Sequence, residues 1–269
     1  MNTETTLTAP VTINDLHSMK QRGEKISCLT AYDASFSAII DSSGIDIMLV
    51  GDTLGITMQG HLTTVPVTLN DMIYHSQCVS RVRQRAFIIA DLPFMTYATL
   101  EMAALNAAKL MQQGGAHMVK LEGGKPEIIK FLVAQGIPVC AHLGLLPQHI
   151  HQIGRYRVQG KQNLQAEQLV NDALAVQQAG AQLLILECIP APLAAKITQH
   201  LTIPTIGIGA GINCDGQVLV LQDMLNISAG KRAKFSKNFM QEAASIQAAI
   251  SAYHDAVKQG LFPTLEHSY

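Results

Sequence analysis

Seven short runs rich in Ile, Val and Leu recur along the chain, at residues 25–33, 46–52, 87–93, 118–124, 138–144, 183–189 and 205–211. Each is nearly continuous in hydrophobicity, as a strand covered on both faces of a parallel sheet must be. An eighth run, 218–221, is weaker and fits a strand or part of a helix equally. Ala-rich stretches of helical period lie between the runs. One covers 99–113 and stops at Gly114-Gly115, and another covers 163–178 and stops at Gly180. Thr12, with Asp15 three residues on, predicts the cap of an N-terminal helix that closes the bottom of a barrel. Residues 238–259 read as one closing helix. Strand alternating with helix in this way predicts an α/β chain, a single (β/α)8 TIM-type barrel domain over residues 1–269. No linker, low-complexity segment or charge run divides it. A doubly wound open sheet is the alternative, but no GxGxxG follows the first strand and no GxxxxGK[ST] occurs, which weakens its nucleotide-binding versions.

The apolar runs end in polar residues: Asp33, Asp52, Asp91, Glu122, His142 and Glu187. A polar group in such a strand is costly unless paired, so its position carries information. In a parallel barrel the C-terminal strand ends converge on one rim, where barrel enzymes keep their chemistry. Asp52, Asp91 and Glu122 offer hard oxygen donors suited to Mg²⁺; helix capping or ion pairing is the plainer alternative. Lys120 and Glu122, two apart on one strand, share a face and can grip a substrate carboxylate and a metal water, or simply pair with each other. Glu187 lies in the most apolar setting of any acid here, one that suits proton transfer. His142 is a donor to a substrate oxygen, or a satisfied core histidine.

The polar interval between His142 and residue 163 has the length of an active-site lid, and its His149 and His151 read as a solvated loop before a metal pair. The glycines of 207–211 suit either an anion cradle or close packing at a barrel turn.

Composition narrows the function classes. With 19 Lys+Arg against 20 Asp+Glu the net charge is -1, which supplies no footprint for nucleic acid or an anionic membrane. Five scattered cysteines without a CxxC pair argue against a disulfide framework or a zinc cage and for a reducing cytoplasm. The polar first dozen residues lack a signal peptide's pattern, and no uncharged apolar stretch reaches the about 18 residues of a membrane span.

The segments 49–55, 90–94, 119–124, 142–145, 186–188, 206–211 and 234–235 together resemble the ketopantoate hydroxymethyltransferase family, in order from about residue 11 to 263. Each motif is short, but the ordered set is specific. The resemblance implies a homodecameric (β/α)8 barrel, a ring of five on a ring of five. Such an enzyme moves a one-carbon unit from the co-substrate 5,10-methylenetetrahydrofolate to 3-methyl-2-oxobutanoate through a Mg²⁺-stabilised enolate, on the way to pantothenate. Motif by motif, Asp52 and Asp91 match Mg²⁺ ligands, with Glu122 completing the metal environment. Asp52, Thr53, Asp91 and Lys120 match ketoacid-binding positions, and Glu187 matches the proton acceptor. Thr53 replaces the family's usual Ser; it keeps the hydroxyl and adds a methyl.

Two other readings compete. A Mg²⁺-dependent carbon–carbon lyase or mutase of the phosphoenolpyruvate mutase type shares enolate chemistry, but its KKCGH-like cysteine loop is missing. A catalytically dead barrel scaffold would be expected to lose rim acids, and the candidate acids all remain.

Overall fold

The computed structural model describes residues 9–228 and 232–269. Eight parallel strands close into a barrel in sequence order: β1 Ile26–Thr30, β2 Ile47–Val50, β3 Phe87–Asp91, β4 Met118–Glu122, β5 Val139–Gly144, β6 Leu183–Glu187, β7 Thr205–Ile208 and β8 Gly216–Leu219. The weak eighth run is thus a strand that begins before the expected segment. Gly216 and Gln217 pair with Ile206 and Gly207 of β7, and β8 closes the ring on β1.

Because side chains alternate across a strand, each strand sorts its residues into two sets. Leu29, Met48, Ile88, Val119, Ala141 and Leu184 face outward and pack under the surrounding helices. Cys28, Ile47, Leu49, Ile89, Met118, Cys140, Ile185 and Ile206 face inward and fill the barrel. Both sets are apolar, which explains the continuous runs.

The helix Ile13–Arg22 closes the bottom of the barrel. Its Leu16 and Met19 join the interior cluster, while Lys20 pairs with Asp215 at 2.6 Å and His17 Nε2 meets the Gln182 carbonyl at 2.9 Å. Thr12 and Asp15 form the expected capping box. The helix Asn163–Gln178 has the predicted bounds, and Leu100–Gln112 begins after a Thr99 cap. The closing helix is shorter than the sequence suggests, spanning Ile246–Lys258 alone. Ser245 caps it by accepting from the Ala248 N–H. Upstream, Phe239 is drawn off a helical path, buried against Tyr253 and Phe262 with its N–H given to the Met224 carbonyl.

Candidate active site

On β3 to β6, two positions beyond an inward apolar residue, the same strand face becomes polar. Ile89 is followed by Asp91, Met118 by Lys120 and then Glu122, Cys140 by His142, and Ile185 by Glu187. Strand register then sets neighbours side by side: Asp91 opposite Lys120, and Glu122 opposite His142. Asp52 enters from the turn after β2. Its N–H donates to Asp91 Oδ2 at 3.0 Å. The result is a pocket at the C-terminal mouth, about 440 Å³ including its opening to solvent. Asp52, Thr53, Asp91, Lys120, Glu122, His142 and Glu187 line it together with apolar Leu49, Ile185, Ile208, Val218 and Val220.

The electrostatics are unbalanced. Lys120 Nζ lies 2.7 Å from Asp91 Oδ1, both buried. Burial disfavours the lysine's charge, but Asp91, Glu122 and Asp52 outweigh it and hold the ammonium protonated well above its ordinary range. One ammonium does not satisfy three carboxylates. Burial, then the negative charge of Asp91 and Glu122, pushes Asp52 far above the usual carboxylate range, against Lys120 and a bond from Gln148. His142 Nδ1 sits 3.6 Å from Glu122 Oε1 and Nε2 sits 3.2 Å from Glu187 Oε2. Burial opposes an imidazolium there; the two carboxylates prevail and raise its pKa to about 9. These contacts are close but poorly directed, so Glu122 Oε1 and both ring nitrogens lack an aligned hydrogen bond. Among the described residues no three His, Cys, Asp or Glu side chains form a ready metal cage.

Several expectations are corrected. Glu187 is the most open of the four mouth acids: its side chain is 16% exposed, against 3% for Asp91 and 1% for Glu122. Its partner in register on β5 is Gly144, which has no side chain to cover it. Asp33 stays outside the pocket and caps the helix Ala34–Ser42 through the Phe36 N–H. The glycine turn of 207–211 packs rather than cradles: at Gly209 (φ +61) a Cβ would reach within 2.9 Å of Phe235, and at Gly211 (φ +82) within 2.5 Å of Ala191. His151 is exposed, His149 is half-buried, and neither lines the pocket.

The interval after β5 is anchored at both ends. Gly144 adopts φ +98, where a Cβ would stand 2.2 Å from the Glu187 carbonyl, and the chain turns there into the short helix Pro147–His149. Gln148 on that turn is 3% exposed and reaches the acids, a placement the sequence did not disclose. Further on, the Gln159 N–H bonds to the carbonyl of Cys188, itself a non-glycine residue in the left-handed region (φ 48) directly after Glu187. Such strain tends to collect at functional sites.

A sequence model of the family described as ketopantoate hydroxymethyltransferase matches residues 10–265. A 3-methyl-2-oxobutanoate hydroxymethyltransferase of Nitrosococcus oceani is 56% identical over 261 residues, covering 96% of this chain and 99% of its own. Another, from Alkalilimnicola ehrlichii, is 53% identical over 262 residues, covering 97% and 95%. Among solved structures, a phosphoenolpyruvate phosphomutase from Streptomyces platensis subsp. rosaceus gives a TM-score of 0.58 at 12% identity, over 77% of this chain and 80% of that one. Phosphonopyruvate hydrolase in complex with oxalate and Mg²⁺ gives 0.60 at 9% identity, over 78% and 80%. At such identity these two likenesses show the fold alone.

Proposed function

Since the chain belongs to the ketopantoate hydroxymethyltransferase family, we propose that it makes 2-dehydropantoate for pantothenate and coenzyme A synthesis. The substrates in this reading are 3-methyl-2-oxobutanoate, 5,10-methylenetetrahydrofolate and water, and tetrahydrofolate is released. The observation that carries it is the convergence of Asp52, Asp91, Lys120, Glu122, His142 and Glu187 in one pocket that is also lined by apolar residues. The apolar lining suits a branched alkyl group, and the cationic Lys120 suits a carboxylate and keto oxygen.

The acids also fit Mg²⁺. Three buried carboxylates share one ammonium and the His142 imidazolium, Asp52 is pushed toward its neutral form by burial and then by Asp91 and Glu122, and Glu122 Oε1 lacks a directed donor. A hard divalent ion that needs only one or two carboxylates relieves that deficit. Asp52 and Asp91 would hold it, with Glu122 completing the surroundings; when bound, it would stabilise negative charge developing on the ketoacid oxygens.

In this reading Lys120 adds positive charge at the same oxygens, and the Thr53 hydroxyl, which makes no bond to the helix it precedes, is available to the substrate. Glu187, the mouth acid open to the pocket, takes the C3 proton. His142 lies beside Glu187, its Nε2 3.2 Å from Oε2. Water adds to the folate's methylene carbon as its bonds to both folate nitrogens break, each nitrogen keeping a proton, and the C3 carbanion equivalent attacks the formaldehyde-level carbon so released, whose oxygen takes the proton held by Glu187 to become the product hydroxyl. Five free cysteines and the family resemblance support a cytoplasmic homodecamer of single-barrel chains; among the described residues no helix is long and apolar enough to cross a membrane.

Mass spectrometry of the mixture of ketoacid, methylene-folate, Mg²⁺ and protein tests the proposal. The expected product has the ketoacid mass plus CH₂O, and exhaustive chelation abolishes it. Folded, metal-loaded protein that yields no such product refutes the reading.

A further inference from the structure

Gln148 lies outside the motifs of the family resemblance, yet every polar group of its side chain is used at the site. Nε2 donates to Asp52 Oδ2 at 2.8 Å and to the Leu92 carbonyl at 3.0 Å. Oε1 accepts from the Tyr97 hydroxyl, whose oxygen accepts in turn from the Glu122 N–H at 3.3 Å. The main-chain N–H of Gln148 donates to Glu122 Oε2 at 3.1 Å. Reversing the amide would set its oxygen against a carboxylate and a carbonyl, two acceptors, so the chemistry of its partners defines its orientation.

This network ties Glu122 at the end of β4 to Asp52 in the turn after β2, and its members are buried: Gln148 3%, Tyr97 5%, Asp52 2% and Glu122 1% exposed. It engages one oxygen of each acid. Asp52 also lines the pocket, and Glu122 Oε1 is left toward His142. The network also explains why the interval after β5 does not begin as a free lid: its first turn is bolted to the acids.

We propose that Gln148 is a positioning residue, oriented by Tyr97, that fixes Asp52 and Glu122 so that their remaining oxygens meet a divalent cation and the ketoacid. This rests on the reading of the mouth as a cation and ketoacid site. Partners behind metal ligands commonly govern affinity and rate as strongly as this role requires.

The test compares wild type, Gln148→Met and Tyr97→Phe by calorimetric titration with Mg²⁺ alone, by kcat at saturating Mg²⁺, and by Tm. Gln148→Met keeps the volume and the main-chain bond to Glu122 while removing the amide. It weakens Mg²⁺ binding and lowers kcat by about 10- to 100-fold each. Tyr97→Phe removes only the orienting hydroxyl and moves both quantities the same way, by about fivefold. Mg²⁺ affinity and kcat within about twofold of wild type in both variants, with only Tm lowered, overturn the proposal, since one lost neutral hydrogen bond already predicts more. If Gln148→Met does not fold, Tyr97→Phe decides by the same criterion. Wild-type protein that binds Mg²⁺ but makes no product refutes the functional reading, and the Mg²⁺ titrations of the variants still judge the positioning role.

Discussion

The two ends of β2 carry aspartates six residues apart in opposite electrostatic states. At the bottom, Asp46 is wholly buried yet surrounded by donors: Arg85 at 2.9 Å, Lys258 at 2.8 Å, and the N–H and hydroxyl of Ser27, each at 3.0 Å. Burial favours its neutral form, but the cations and hydrogen bonds prevail and hold its pKa below the ordinary carboxylate range. At the top, Asp52 is equally buried but faces Asp91 and Glu122, and its pKa is driven the other way. The same side chain on the same strand is thus satisfied where the barrel needs closure and frustrated where it opens. A deficit of positive charge at the mouth is what a cation or an anionic transition state can exploit; the bottom has no such deficit and serves stability.

The mouth and the bottom differ most in function at Glu187. Replacing it with Gln lowers kcat by about 10²- to 10⁴-fold while leaving Tm nearly unchanged, because the residue acts on a proton rather than on packing; steady-state kinetics beside thermal melts check this. Asp46→Asn does the reverse. It removes the buried anion from half-buried Lys258 and Arg85, which keep Glu24 and the Gly44 and Ile45 carbonyls, and costs about 1.5–3 kcal/mol in denaturant unfolding, with kcat of the folded enzyme retained.

The pH response sharpens the contrast. His142 has its pKa raised to about 9 in the fold from an ordinary 6.5, so its stabilisation is complete below 6.5 and is lost as pH rises through 9. In chelated protein this amounts to an effect on the order of 3 kcal/mol, and His142→Gln should remove that alkaline limb from unfolding curves. Asp46 has the opposite sign, contributing above the ordinary carboxylate pKa of 3.8 and losing its contribution as pH falls below it. The smallest effect belongs to Thr53→Ser. It preserves the hydroxyl and deletes a methyl, and it changes kcat/KM for the ketoacid by about tenfold, the low end of the scale for one methylene in a pocket.

Seven strands and the capped first helix were legible because double-sided burial writes a continuous apolar run and a capping box has a fixed spacing. The polar ends of those runs marked the mouth, and five of the six named there line the pocket. Asp33 differs because a residue at a strand end can equally cap the next helix, and sequence gives both uses the same form. Glu187 has apolar chain neighbours, which suggest the most apolar setting of any acid, yet it is the most open of the mouth acids, because its register partner on β5 is Gly144, which has no side chain, and only Ile208 on β7 flanks it. Counting by twos from the inward residues of each strand would have identified Asp91, Lys120, His142 and Glu187 together. Gln148 and Tyr97 carry no such signal, since a polar residue in a loop becomes buried only through contacts 51 positions apart. The overlong closing helix failed for the same reason, Phe239 being claimed by tertiary contacts.

The most direct test of the account is deuterium incorporation at C3 of 3-methyl-2-oxobutanoate, followed by mass spectrometry in D₂O with Mg²⁺ and no folate. The account predicts rapid exchange with wild-type protein, and rates reduced to near the blank for Glu187→Gln and for chelated enzyme. Exchange that is undiminished in Glu187→Gln, or no faster than the blank with folded wild type, would contradict the claim that the charge-deficient mouth of the barrel removes that proton.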